Sequence, residues 1–151
     1  MSAQHPPIDD PALGHLVRAE STFEDGTVAA HDWYAGRITD RDAEIELMID
    51  GTDPEAVEAR LPRLRAVVAA LAGIRRTASD AIVTRFSDVE PEQHELDEAA
   101  ADLRLEAIEA ADDGRIVLHF TDACGEHFPE GYWPAAHLAD DDTVAEVTVE
   151  S

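Results

Sequence analysis

The chain has 151 residues, with 34 Asp and Glu against 11 basic residues, a formal charge of -23 at pH 7. Every basic residue is Arg; Lys and Asn are absent. A surface this acidic repels phosphate backbones and anionic lipid, which argues against nucleic acid and membrane surfaces as partners. The length fits one domain, and an apolar content of 44% is enough for one core without metal or disulfide.

Cys124 is the sole cysteine, so no intrachain disulfide forms, as expected of a reducing cytoplasm. The start, Met1 to Pro7, has neither the basic nor the apolar region of a signal peptide. The longest apolar run, Ala66 to Ala72, is far shorter than the ~20 residues that span a bilayer. The missing Lys and Asn fit either a GC-rich genome or life in high salt, where acidic surfaces aid solubility. In both cases self-repulsion should weaken the fold at low ionic strength.

Residues 1–11 are Pro-rich and acidic and read as a loose arm, leaving 12–151 as the domain. Leu13 to Glu20 is a first strand, and Glu24-Asp25-Gly26 a turn. Asp32 to Ile38 and Ala43 to Ile49 form a hairpin. In the second of these, Ile45, Leu47 and Ile49 alternate with Glu44 and Glu46, the pattern of a half-buried strand. Of the adjacent Trp33 and Tyr34, one must point away from the core.

The period then changes. Asp53 is an N-cap and Pro54 sits at the first helical position. Val57, Leu61, Leu64, Val68 and Leu71 trace a helix face. Pro62 should kink that helix or split it, and Gly73 is a C-terminal cap. A second helix presents Ile74, Ala78, Ile82 and Phe86, and Pro91 opens a third over Glu92 to Ala101. Four strands follow: Leu103 to Ala110, Ile116 to Phe120, Tyr132 to Ala139 and Thr143 to Glu150. The first two join through Asp113-Gly114, a hairpin signal. The last is expected to turn Ala145, Val147 and Val149 inward. The expected fold is α+β: a mostly antiparallel sheet of about seven strands, three before the helices and four after, with helices packed on one face.

The C-terminal half carries a further pattern. A helix over Glu95-Leu96-Asp97-Glu98-Ala99-Ala100-Ala101-Asp102 leads into a Leu/Ile strand. Then come Asp113-Gly114, the strand Ile116-Val117-Leu118-His119-Phe120, Asp122, Phe128, Gly131 and two last strands. With Trp33, Gly36 and Ile38 upstream, this resembles a group of small bacterial domains of unknown function. Some members of that group are proposed to be immunity proteins encoded beside polymorphic toxins. The resemblance implies an α+β fold and a protein partner, and it offers no catalytic residue. This chain has Gly131-Tyr132 where the group has Gly-His.

The densest polar and aromatic cluster lies between the third-last and second-last strands. As a binding surface it offers Phe128, Tyr132 and Trp133 beside Glu126 and Glu130, on the principle that Tyr and Trp anchor interfaces. As a metal site it offers Cys124 and His127 with His119 and Asp122, a weaker pattern because no second ligand pair is near. Cys124 is a poor nucleophile beside Asp122 and Glu126, since negative neighbours raise a thiol pKa. Asp140-Asp141-Asp142 lacks the spaced ligands of a calcium loop. Arg75-Arg76 reads as an internal ion-pair donor. No phosphate loop, nucleophile elbow or zinc-protease motif is present, so neither catalytic residue nor cofactor is expected. The leading reading is an acidic cytoplasmic binding protein, of immunity type, for a basic toxin or partner. The alternatives are a small enzyme or metal-binding protein using the Cys124/His127 loop, and a structural or regulatory domain whose acidity serves only solubility.

Overall fold

The computed structural model describes residues 6–40, 43–122 and 133–150. Its strands are β1 (Ile8–Asp10), β2 (Gly14–Thr22), β3 (Val28–Asp40), β4 (Ala43–Asp50), β5 (Leu103–Ala110), β6 (Ile116–Asp122), β7 (Trp133–Leu138) and β8 (Val144–Glu150). Its helices are α1 (Pro54–Ala69), α2 (Leu71–Arg85) and α3 (Gln93–Asp102). The strands lie side by side in chain order in one eight-stranded sheet. Neighbours joined by short connections pair antiparallel. β4 and β5 pair parallel, with Leu47 opposite Ile108 and Ile49 opposite Ala110. A parallel pair needs a long crossover, and α1, α2 and α3 supply it.

The expected sheet of about seven strands is therefore corrected to a mixed sheet of eight. The extra strand is β1, inside the segment read as a loose arm. Ile8 pairs with Leu16 and is buried with the core. Three residues are too few to show alternation, so nothing in the local pattern marks this strand. It is fastened by pairing with β2, by local bonds and by one contact distant in sequence. Asp10 Oδ1 accepts from the Ala12 and Leu13 N–H groups at 2.9 and 3.0 Å. Its Oδ2 accepts from Arg65 on α1, at 2.7 Å from Nε and 2.5 Å from Nη2. The Arg65 bond holds this buried carboxyl below the ordinary range, against the opposing effect of burial.

Local signals explain most helix starts. Asp53 accepts from Ala56 N–H at 2.8 Å, with Pro54 in the first turn. In α3, Glu92 and Glu95 form a reciprocal capping box. Pro62 does not split α1, which runs unbroken from Pro54 to Ala69. Pro62 is on the exposed side of the helix, where the carbonyl it leaves unbonded can face water. The helical run is interrupted at Ala70, which ends α1 and precedes α2, and Gly73 lies inside α2 rather than capping α1.

Val57, Leu61, Leu64 and Val67 of α1 join Ile74, Ala78 and Ile82 of α2 over one face of the sheet. There they meet Ile45, Leu47, Ile49, Ile108, Ile116 and Leu118. Tyr34 is fully buried and Trp33 is not, as alternation requires. Ala145, expected inside, is exposed because a bulge between His137 and Leu138 shifts the start of β8.

Arginines tie the helices to the strands. From α1, Arg60 donates to the Ala111 and Asp112 carbonyls at 3.1 and 3.0 Å, and Arg63 reaches the Ala139 carbonyl at 2.8 Å and Asp142. From α2, Arg75 pairs with Asp40, while Arg76 spans Asp80 at 2.9 Å and Asp97 of α3 at 2.6 Å. From β2, Arg18 donates to the Thr52 carbonyl at 2.7 Å.

Gly36 belongs to the Trp33, Gly36, Ile38 pattern, and its reason is steric. A Cβ there would overlap Leu16 Cδ2, and Leu16 is fully buried. Gly36→Ala is expected to cost about 1–3 kcal/mol through overpacking. Gly73 should behave oppositely, because a methyl group there would meet nothing within 4 Å and the position is inside α2. Gly73→Ala is expected to stabilise by roughly 0.5–1 kcal/mol. Chemical denaturation of both variants checks the pair, and equal effects would contradict the packing described.

Candidate functional site

The face of the sheet away from the helices carries a set of closely coupled polar side chains. Register places them. Met48, Glu109, Val117, His137 and Glu146 form one row across β4 to β8, and Ala107, His119, Ala135 and Thr148 the next. A bulge between Leu105 and Ala107 resets the alternation of β5, so Glu109 falls on this face.

Glu109 Oε1 lies 3.0 Å from His119 Nε2, and both side chains are largely buried. The bond to His119 lowers the Glu109 pKa, while burial opposes it. His137 Nε2 lies 2.9 Å from Thr148 Oγ1, and His137 Nδ1 is buried without a hydrogen-bond partner among the described residues. At the end of β4, Asp50 accepts from Asp112 N–H at 3.1 Å. Burial raises the Asp50 pKa, opposed by the Asp112 N–H bond and Arg60, while the Glu109 and Asp112 carboxylates add to the rise. Trp33, opposite Asp50 in the ladder, stacks on His31 at 6.0 Å between ring centroids. A carboxylate–imidazole pair of this kind can hold or relay a proton.

The residues singled out from sequence divide between described and undescribed segments. Glu126, Phe128, Glu130 and Tyr132, with Cys124 and His127, lie outside the described residues. Trp133 opens β7 opposite Glu150 and is 46% exposed, so it is not a core residue. His119 is on β6 and engaged with Glu109. Asp122 ends β6 opposite Leu103. Among the described residues no three His, Cys, Asp or Glu side chains gather as a metal site. Glu109 and Asp50 were missed by sequence reasoning. Each is one acid among many, and only cross-strand register brings them beside His119 and Trp33.

A second feature lies around α3. Phe86 is 45% exposed and Val89 is 78% exposed. They border six exposed carboxylates: Asp88, Glu90, Glu92, Glu95, Asp97 and Glu98. Asp97 is bonded to Arg76 and Gln93, and Glu92 lies near His94. The sequence reading put Phe86 on the buried face of the second helix. Instead it is the C-cap of α2, with Arg85 over its ring at 5.4 Å.

No protein-family model matches the chain, and no curated protein or solved structure matches it significantly.

The two acids of the open face should respond to pH in opposite senses. Asp50 has a folded pKa above its ordinary 3.8, so its charge lowers stability at neutral pH. Asp50→Asn, which keeps an acceptor for Asp112 N–H, should raise the melting temperature at pH 7. That gain should vanish as pH falls and wild-type Asp50 protonates. Glu109 has a folded pKa below its ordinary 4.5, so its stabilisation is present above 4.5 and is lost as pH falls through the folded value. Glu109→Gln should cost about 1 kcal/mol at pH 7 and little in acid. Melts of both variants across pH check this; pH-independent differences would contradict it.

Proposed function

We propose that this chain is a binding protein for a basic protein partner, of immunity type, acting in the cytoplasm. The observation that carries the reading is how charge is distributed. Among the described residues, Arg18, Arg37, Arg63, Arg65, Arg75, Arg76 and Arg115 all pair with carboxylates. Arg60 is held by backbone carbonyls. Most of the described arginines are thus tied within the molecule, and Arg85 lies over Phe86, while Asp88, Glu90, Glu95 and Glu98 stay exposed on the stretch of chain that follows Phe86 and includes Val89.

An acidic ridge attracts a basic partner over long range and favours its correct orientation. Exposed apolar side chains at its border add the desolvated contact that slows dissociation. Acids gathered beside an apolar pair support a partner surface more than they support solubility alone. Among the described residues no helix is long and apolar enough to cross a membrane.

The test is co-purification with the basic proteins encoded by neighbouring genes. A complex should form, weaken with salt, and weaken at least about tenfold in the triple variant Asp88→Lys, Glu90→Lys, Glu98→Lys. These positions are exposed, so the thermal melt should show an intact fold. A complex indifferent to both salt and charge reversal, or no complex with any basic neighbour, would contradict the reading.

A further inference from the structure

The two edges of the sheet differ. β1, at one edge, has only three residues. β8, at the other, has seven, and β7 is its only strand neighbour among the described residues. Soluble proteins usually protect a long edge with Lys, Pro or a short strand, because its free N–H and C=O groups accept any passing strand. The sequence of β8, VAEVTVE, has no Pro; its charged residues are acids, which repel another acidic chain but not a basic strand, and the bulge lies only at its start. Between α2 and β8 lies an open groove of about 610 Å³. Its α2 wall holds Asp80, Ala81, Thr84 and Arg85, and its β8 wall holds Val144, Ala145, Glu146 and Val147.

We propose that the β8 edge takes up an extended segment of the basic partner as a ninth strand, in the mode of β-strand addition. The proposal rests on the basic-partner reading above and specifies where and how such a partner docks. The register defines the strand that fits. Val147 pairs with Ala136 of the core, so it points toward α2; Glu146 pairs with His137, so it points to the open face. An added strand therefore alternates too. One set of its side chains enters the groove against Ala81 and Thr84, where Arg85 in the wall favours apolar residues such as Val over cations. The other set lies beside Glu146, which favours Lys or Arg. The existing pair of Glu146 with Arg115 is long, at 3.7 Å, and exposed on both sides, so an incoming cation can replace it at little cost. A second copy of this chain is a poor occupant. It brings another charge of -23, and pairing β8 with β8 adds Glu residues to an edge that already carries them.

The probe is a seven-residue peptide alternating Lys and Val, the length of β8. Its controls are the same peptide with the central Val replaced by Pro, and a Glu/Val peptide. Amide hydrogen exchange and NMR titration on the full chain report where it binds. The Lys/Val peptide should slow exchange along Val144–Glu150, with the Pro control at least about tenfold weaker and the Glu/Val peptide silent. Thr84→Arg, at an exposed groove position, should weaken the Lys/Val peptide by a similar factor with the melt unchanged. Equal binding of the Pro control, or perturbation confined to Asp88–Glu98, overturns strand addition and leaves the basic-partner reading standing. Concentration-dependent protection of β8 without peptide overturns it in favour of a second copy. Absence of any perturbation by Lys/Val peptide overturns the edge site, while the charge-reversal test on the neighbouring-gene complex judges the wider reading separately.

Discussion

Arg60 and Arg63 on α1 reach the β5–β6 and β7–β8 turns, Arg65 reaches β1, and Arg75 on α2 reaches the end of β3. These guanidinium contacts hold the long crossover against a sheet whose parallel pair, β4 with β5, cannot close without it. Hydrophobic burial supplies the larger favourable free energy, but it is non-directional. Planar guanidinium donors match carboxylates and carbonyls in a fixed geometry, so they specify where each helix end sits. The absence of Lys fits that use, since a flexible ammonium would hold the same ties in a less defined geometry.

The cost of this arrangement falls on the surface. Arginines engaged with Asp10, Asp40, Asp80, Asp97 and Asp142 cannot neutralise the other acids around them. The surplus negative charge is exposed over Asp88–Glu98, and on the open face it is seen in Asp50, whose pKa burial and neighbouring acids raise. Groups held in an unfavourable electrostatic state mark places where stability has been given up. The basic partner proposed above would relieve that state. The proposed strand addition at β8 extends the same logic to the backbone: among the described residues β8 has a strand on one side only, while β1 at the other edge is short.

Much of the fold was legible because its signals are local. The Ile45, Leu47, Ile49 alternation marked β4, Asp53-Pro54 marked the start of α1, and Asp113-Gly114 marked the β5–β6 hairpin, with Gly114 at φ +85°. What was not legible depends on contacts distant in sequence. β1 is held in part by the bond of Arg65 to Asp10, and no period of three residues can announce that. Pro62 fits inside α1 because it faces outward, a fact of tertiary placement. The parallel register of β4 and β5 follows from the whole crossover. For the same reason the Glu109–His119 pair escaped notice: a bulge in β5 sets which face Glu109 takes. Of the aromatic residues singled out in that cluster, Trp133 is exposed at the start of β7, while Phe128 and Tyr132 lie outside the described residues.

If arginine ties position the elements while surplus acids repel one another, salt should act on the two unequally. The ties are partly buried and many are bonded to carbonyls, so they are screened weakly. The exposed carboxylates are screened strongly, as the Debye length falls from about 10 Å at 0.1 M to about 3 Å at 1 M. The direct measurement is the thermal midpoint of the chain from low salt to molar NaCl at neutral pH. The midpoint should rise throughout that range. A flat or falling midpoint would show that the acids are already balanced by the arginines, and that no surplus charge is held in reserve for a partner.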